Sequence, residues 1–356
     1  MHRRDFLAAT GGTLLAAGCS GDASSYETEV AALRAPLSPE GGVNEMIRYA
    51  TLAPNGHNTQ SWIFTAGETG IAITPDHTRR TPVVDPDDHH VFVSLGAAAR
   101  NLEIAGRAAG RPGEASVAPD GAVRFSMGQA APMADPLIEA IRARQSTRTE
   151  YDGGPVGAGV LAALAEAGRG PGVRMVLIAD PAPMASLRDI VVAGTEAQMA
   201  DPAFEAELLD WLRFSTASAV DHRDGLYTAA SGNPAFPDFI GRRIFPFVFT
   251  ASGEVDKYAA QMESSAGAAV FLADAADPAH WVRVGMAAQG FLLEATRQGL
   301  ATAFVNQPVE VPDLRGELAA LAGEPGLRPD LVIRFGRAPR LPYSLRRPVA
   351  DVMRAG

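Results

Sequence analysis

Between Ala50 and Trp62 the chain reads Ala-Thr-Leu-Ala-Pro-Asn-Gly-His-Asn-Thr-Gln-Ser-Trp, setting the amides Asn55, Asn58 and Gln60 and the imidazole His57 around a Pro54-Asn55-Gly56 turn. Such a turn leaves backbone N–H groups free beside side chains that both donate and accept, a combination suited to a planar polar ligand. A second cluster, Arg142-Ala143-Arg144-Gln145-Ser146-Thr147-Arg148, interleaves guanidiniums with hydroxyls and suits a phosphate. By their spacing, Arg144, Ser146 and Arg148 have the better claim, while Arg142 also reads as a solvated helix charge. Asp85-Pro86-Asp87-Asp88-His89-His90 brings hard oxygens and imidazoles together, and reads either as a divalent-cation site or as a turn with acids at a helix start. With no second ligand cluster, no metal is assigned. His57 could give a proton or could only hydrogen-bond its own turn. Ser264-Ser265-Ala266-Gly267 lacks the context of a nucleophile elbow, and no Gly-x-Gly-x-x-Gly follows a strand, which counts against a Rossmann dinucleotide site.

These residues need elements to hold them. Val43, Met46, Ile47 and Ala50 mark an amphipathic helix that the Pro54 turn ends, and Trp62 opens an apolar strand. Leu137, Ile138 and Ile141 mark a helix leading into the arginines, and Leu331 to Gly336 reads as a strand. An internal repeat organises the whole. Gly96-Ala97-Ala98-Ala99-Arg100-Asn101-Leu102-Glu103-Ile104, closing at Gly110, matches Gly285-Met286-Ala287-Ala288-Gln289-Gly290-Phe291-Leu292-Leu293, closing at Gly299. A β-like run precedes each, Ile71–Thr74 and Ala268–Leu272. Both helices are core and not membrane spans, because Arg100, Glu103 and Arg107 interrupt one and Glu294 and Arg297 the other. The chain reads as two copies of one α+β unit.

The amide turn resembles the Pro-Ser-x-x-Asn-x-Gln-Pro-Trp signature of the nitroreductase family, FMN proteins whose turn lies over one face of the flavin. Arg144-x-Ser146-x-Arg148 resembles the element with which that family holds the FMN phosphate. In ordinary members the phosphate element precedes the amide turn, and here the order is reversed. Duplication accounts for the reversal: copy one keeps the amide turn but has only Pro39-Glu40-Gly41-Gly42 before its first helix. Copy two keeps the arginines but has Gly168-Arg169-Gly170-Pro171-Gly172-Val173 in place of the turn. The resemblance is closest to the tandem Acg-type branch and covers roughly residues 43 to 350. It implies two fused units, each a mixed β-sheet flanked by helices, forming an intramolecular pseudo-dimer with one FMN site per monomeric chain. Carried over by position, the cofactor contacts are Pro54, Asn55, Gly56, Asn58, Gln60, Arg144, Ser146 and Arg148. To these are added Asn306 and Gln307 near flavin N5, and Arg346 and Arg347 completing the phosphate pocket. No side chain is required as a catalyst, since the chemistry is the flavin's. An insertion between 181 and 265, carrying Trp211, His222 and Phe245-Pro246-Phe247-Val248-Phe249, corresponds to a lid.

The chain has 356 residues, enough for two fused units, and 47% of them are apolar with a mean hydropathy of +0.01, so core is ample. A net charge of −10 argues against nucleic acid as a partner, and the 31 basic residues include one lysine, Lys257. Arg3-Arg4-Asp5-Phe6-Leu7, an apolar run and Leu15-Ala16-Ala17-Gly18-Cys19 resemble a twin-arginine signal joined to a lipoprotein box. Cys19 is the single cysteine, which excludes intrachain disulfides and makes lipidation its simplest use. The expected organisation is a signal over 1–19, a flexible tether over 20–40, a first unit over 41–134 and a second over 135–356. The expected protein is an exported, membrane-anchored lipoprotein of the cell envelope that passes two electrons from a small-molecule donor to quinone-like or nitroaromatic acceptors. A non-catalytic FMN store with a lidded site is the alternative. Because nicotinamide donors are not expected outside the cytoplasmic membrane, the donor is a question the sequence leaves open.

Overall fold

A computed structural model describes residues 16–356. The Arg3-Arg4 pair and the start of the apolar run lie outside the described residues, as does the side chain of Cys19. The first part of the chain forms α1 (Ala16–Leu33), α2 (Gly42–Thr51), β1 (Trp62–Ala66), β2 (Gly70–Pro75), α3 (His89–Ala108), β3 (Ala115–Val117) and β4 (Val123–Ser126). There follow α4 (Leu137–Ala143), α5 (Ala158–Ala167), β5 (Val173–Ile178), α6 (Pro181–Met199), α7 (Pro202–Trp211), β6 (Leu212–Arg213), α8 (Thr216–His222), β7 (Leu226–Tyr227), α9 (Asp238–Val248) and α10 (Ala251–Glu263). The remainder is β8 (Gly267–Ala273), α11 (Pro278–Arg297), β9 (Ala301–Phe304), α12 (Gln307–Glu310), α13 (Arg315–Leu321), β10 (Pro329–Gly336), α14 (Val349–Val352) and β11 (Met353–Ala355). The mixed α+β class expected from the sequence is the one found.

One sheet has the order β11-β1-β2-β4-β3 and another β5-β8-β10-β9. The second is antiparallel throughout, and β8 and β10 are buried along their whole length, which is why both read as apolar runs without alternation. Between the sheets α3 and α11 pack along one another, and a single apolar core runs from Trp62 and Phe64 through Leu102 and Phe291 to Phe335. The contact of the two helices is reciprocal. A Cβ on Gly96 would lie 1.8 Å from the carbonyl oxygen of Val282, and one on Gly285 would lie 1.9 Å from that of Val93, its counterpart in the repeat. Only glycine allows backbones this close, so the repeat glycines of the sequence are the crossing point of the fold. Gly110 and Gly299 end the two helices at φ 71° and 74°, as their capping role requires.

Three expectations change. Where a flexible tether was expected, Ala16–Leu33 is helical, Tyr26 is buried against Tyr227 and Leu345, and Arg34 is buried. Tyr26 and Arg34 carry enough surface to anchor a segment that composition marks as a linker. The last strand, β11, joins the first unit's sheet, pairing parallel with β1 at Phe64 and Met353, so the second unit does not keep the whole of 135–356 to itself. The 181–265 insertion is not one lid. Leu187 and Val191 of α6 and Met262 of α10 pack with Val270 and Val332 on the outer face of the second sheet, leaving only the stretch between those helices free to cover anything.

Candidate functional site

The amide turn begins where α2 stops at Thr51. Asn55 is extended, its Oδ1 accepting the backbone N–H of Gln60 at 2.8 Å, and His57, Asn58 and Gln60 follow at φ 45°, 55° and 56°. None of the three is glycine, and Asn58 and Gln60 are held there by partners distant in sequence. Asn58 donates from Nδ2 to the carbonyls of Gly225 (3.0 Å) and Leu345 (3.2 Å), and its own carbonyl accepts from Gly225 N–H. Gln60 donates to the Arg223 carbonyl at 2.9 Å and accepts from the Arg347 N–H at 2.8 Å. Gln60, expected at the cofactor, is therefore a fully buried clip between the turn, the insertion and the C-terminal segment, and it lines neither of the two cavities described below. Arg347 also departs from expectation: its Nη2 turns to the Asp351 carbonyl, and only its backbone serves the turn.

The other phosphate residues come together around a cavity of about 50 Å³ lined by Arg34, Arg144, Ser146, Arg148, Asn58 and Arg346, among others. Residues 144–148 reach it because Ser146 bridges Thr302 and the N–H of Thr147 donates to the Thr302 carbonyl at 2.8 Å, so the segment runs beside the edge of β9. Arg334 of β10 braces its far end by donating to the Thr149 carbonyl at 2.8 Å. The guanidiniums of Arg34, Arg144 and Arg346 are pinned by carbonyls and not by acids, and Arg148 stands with them at the cavity wall. Arg144 donates to Leu52, and Arg346 to Thr51 (2.7 Å) and Ala53 (3.1 Å), the carbonyls at the C-terminal, electronegative end of α2. Arg34 donates to the carbonyls of Arg142 and Arg144. Among the described residues, none of these four arginines pairs with a carboxylate, and Nε and Nη1 of Arg144, Nε of Arg34 and Oδ1 of Asn58 have no partner at all. Burial, and then the neighbouring arginines, push Arg144 down to about 9, and burial takes Arg34 down to about 10. Buried like charges of this kind call for an anion.

Pro54, Asn55, Arg148, Leu226 and Phe304 also border a second cavity of about 580 Å³. Its floor is the crossing of α3 and α11, and its wall is the middle of the insertion, with Phe214, Phe245 and Phe249. Gly56 and His57 border it from the turn, and Asn306 and Gln307 from the start of α12. Asn306 spends its Oδ1 on the N–H of Val332, whereas Gln307 keeps a buried Oε1 without a partner. Gln289, also at the cavity, has a bare Oε1 while its Nε2 donates to Asn101 at 2.7 Å, and Asn101 in turn donates to the Tyr49 carbonyl. Burial lowers His57 to about 4, so its ring is neutral near pH 7 and is no imidazolium donor. Beside it, burial opposes both charges of the His90–Glu310 contact (3.3 Å), yet the contact raises His90 and lowers Glu310. Sequence reasoning missed Arg34, Gln289 and Glu310. Gln289 could have been found as a lone amide in a run of small and apolar residues; nothing in the sequence around Arg34 marks it.

Asp85, His89 and His90 bring ligand atoms within 4.8 Å of one another. Each is engaged: Asp85 accepts the N–H groups of His90 and Val91 at the first turn of α3, and His89 Nε2 meets Asp330 at 3.0 Å. Burial raises Asp330 to about 7 and lowers His89. These bonds describe a helix start.

The profile of a family described as the nitroreductase family matches residues 141–336. Two Mycobacterium tuberculosis (strain H37Rv) proteins that bear NAD(P)H nitroreductase in their names are similar over 87% of the chain. Rv3131 is 26% identical over 90% of its own length, and acg is 25% identical over 94%. Among solved structures, the FMN-dependent nitroreductase NfnB of Mycobacterium smegmatis in complex with NADPH is 15% identical, with a TM-score of 0.39 over 62% of this chain and 98% of that one.

Proposed function

This chain belongs to the nitroreductase family, and from that premise we propose that it is an FMN-dependent oxidoreductase with one flavin site per chain, formed where the two cavities meet. The observation that carries the reading is the set of four arginines around the small cavity, three of them pinned by carbonyls and all four lacking a counter-ion among the described residues. A phosphate monoester fits both the charge and the unpartnered N–H groups of Arg144 and Arg34. Arg34, Arg144, Arg148, Arg346 and Ser146 would hold the phosphate, Pro54 and Asn55 would span the join, and Gln289 and Gln307 would offer bare carbonyl oxygens to ring N–H donors. When bound, FMN supplies two-electron acceptance and release at its ring. The chain's own residues orient it, exclude water through Phe214, Phe245 and Phe249, and keep His57 neutral beside it.

Flavin titration of the apoprotein tests this reading. FMN saturates at one per chain, and riboflavin, which lacks the phosphate, binds at least tenfold more weakly, since each hydrogen bond to a charged group contributes about 1.5–3 kcal/mol. Two tight sites, or equal affinity for both flavins, would remove it. The insertion's aromatic wall supports a second reading, a flavin store that turns over slowly. Rapid reduction by dithionite or a small hydride donor, followed by rapid reoxidation by menadione or a nitroaromatic, in the intact protein would eliminate the store.

Export and anchoring are part of the proposal, supported by Arg3-Arg4 and by Leu15 to Cys19. Arg3→Lys with Arg4→Lys leaves a folded flavoprotein in the cytoplasm, and Cys19→Ser releases the exported chain from the membrane. Cell fractionation reads both results.

A further inference from the structure

The helix α9 (Asp238–Val248) has two unlike faces, and only one is accounted for by the cavity. On the inner side Gly241 sits so close to Phe214 that a Cβ would fall 2.3 Å from its ring carbon, and Phe245 is buried, stacked on Phe249 at 4.6 Å. That seating fixes the helix's rotation. On the outer side Phe239 is 76% exposed and Phe247 80%. Phe239, Arg243 and Phe247 are spaced four apart and form one stripe, with exposed Arg242 beside it. Single exposed apolar residues are ordinary, but aromatic rings clustered with basic residues on one helix face mark a contact surface.

Charge identifies the occupant. The chain as a whole carries −10 and is repelled by an anionic surface. The outer face of α9 reverses that sign locally: from Phe239 to Phe249 there is no acid, and Asp238 is turned inward, accepting from Phe214 N–H and Ser215 Oγ at 3.1 and 2.6 Å. The next acid along the chain, Glu254, is taken by Lys257. Aromatic rings flanked by arginines that have no acidic partner among the described residues complement the boundary between anionic headgroups and acyl chains, where the rings leave water and the guanidiniums stay at the phosphates. We infer that α9 docks this protein on an anionic lipid surface through Phe239, Arg242, Arg243 and Phe247, independently of any lipid anchor. Because Ile244 and Phe245 of the same helix wall the large cavity, the docked chain turns that wall toward the lipid phase.

Cys19 is the only cysteine, so the full chain with Cys19→Ser and Phe247→Cys takes one environment-sensitive fluorophore, and Phe239→Cys gives a second, independent position. Exposed Ser116 on β3, as Ser116→Cys, is the remote control. With vesicles of mixed phosphatidylglycerol and phosphatidylcholine, probes at 247 and 239 shift to the blue and the probe at 116 does not. Adding Arg242→Glu with Arg243→Glu weakens the response roughly tenfold or more, since each basic residue at the surface contributes about 1 kcal/mol. Absence of a shift at both helix positions overturns the inference. So does an equal response with pure phosphatidylcholine that ignores the charge reversal. A shift without vesicles that grows with protein concentration assigns the face to a second copy of the chain and overturns it as well.

Discussion

The small basic cavity and the large apolar one share five lining residues and are built on opposite terms. Around the small one, charge is fixed by the carbonyls of Thr51, Leu52 and Ala53 at the end of α2, so an arginine that moves leaves backbone groups unpaired. Around the large one, side chains from short helices of the insertion set the shape, and no backbone hydrogen bond depends on which ring stands where. The first cavity should therefore decide which ligand binds, and the second how easily its ring is reached.

The largest effect follows from removing charge. Arg144→Ala with Arg148→Ala lowers FMN affinity by roughly a hundredfold or more, two charge-assisted contacts being worth about 3 kcal/mol at least, and leaves riboflavin nearly unchanged. Calorimetric titration of both flavins reads the difference. Equal weakening would mean that the arginines support folding and that the two cavities do not differ as argued.

Opening the apolar wall should do the reverse. Phe245→Ala with Phe249→Ala dissolves the stacked pair beside Phe214 and costs about 3 kcal/mol in urea unfolding, most of it from the buried Phe245. FMN and riboflavin weaken by the same factor, and stopped-flow reoxidation of the reduced flavin by menadione quickens. A selective loss of FMN would contradict the division between the cavities.

The smallest effect is electrostatic and sits on the turn between them. His57, held by burial at about 4 against an ordinary 6.5, stays neutral in the fold while the unfolded chain takes up a proton between those values. Its contribution is complete above pH 6.5 and is lost as the pH falls toward 4, about 2 kcal/mol between pH 7 and pH 5. His57→Asn, which keeps a residue tolerant of left-handed φ, removes that part of the pH dependence. Urea unfolding of the apoprotein at the two pH values reads it.

Much of this was legible in the chain. Glycine pairs at equal spacing announced α3 and α11 as matching helices, while their crossing at Gly96 and Gly285 came from the structure. The run from Val43 to Ala50, the strand opened by Trp62 and the helix before Arg144 were readable because periodicity and turn chemistry are local. Gln60 and Arg347 look in sequence like their neighbours Asn58 and Arg346, and nothing local tells a side chain that faces a cavity from one that ties a turn. Arg34 lay in a stretch whose Ser, Gly, Ala and Glu content reads as linker, and the helix that ends just before it is packed by Tyr26 against Tyr227 and Leu345, far away in sequence.

The sequence by itself determined the α+β class, the two glycine-spaced helices and three of the arginines that line the small cavity, Arg144, Arg148 and Arg346, since each rests on residue types and spacings that act over a few turns of chain. Tertiary structure alone decided which polar side chains remain unpartnered. It decided that α6 and α10 of the insertion are core while α9 shows an aromatic face to the outside, and that β11 returns to the first sheet. Those outcomes depend on what segments far apart in sequence bury against one another, and the desolvation that makes a bare guanidinium or carbonyl oxygen costly, and hence ready for a ligand, exists only once they have met.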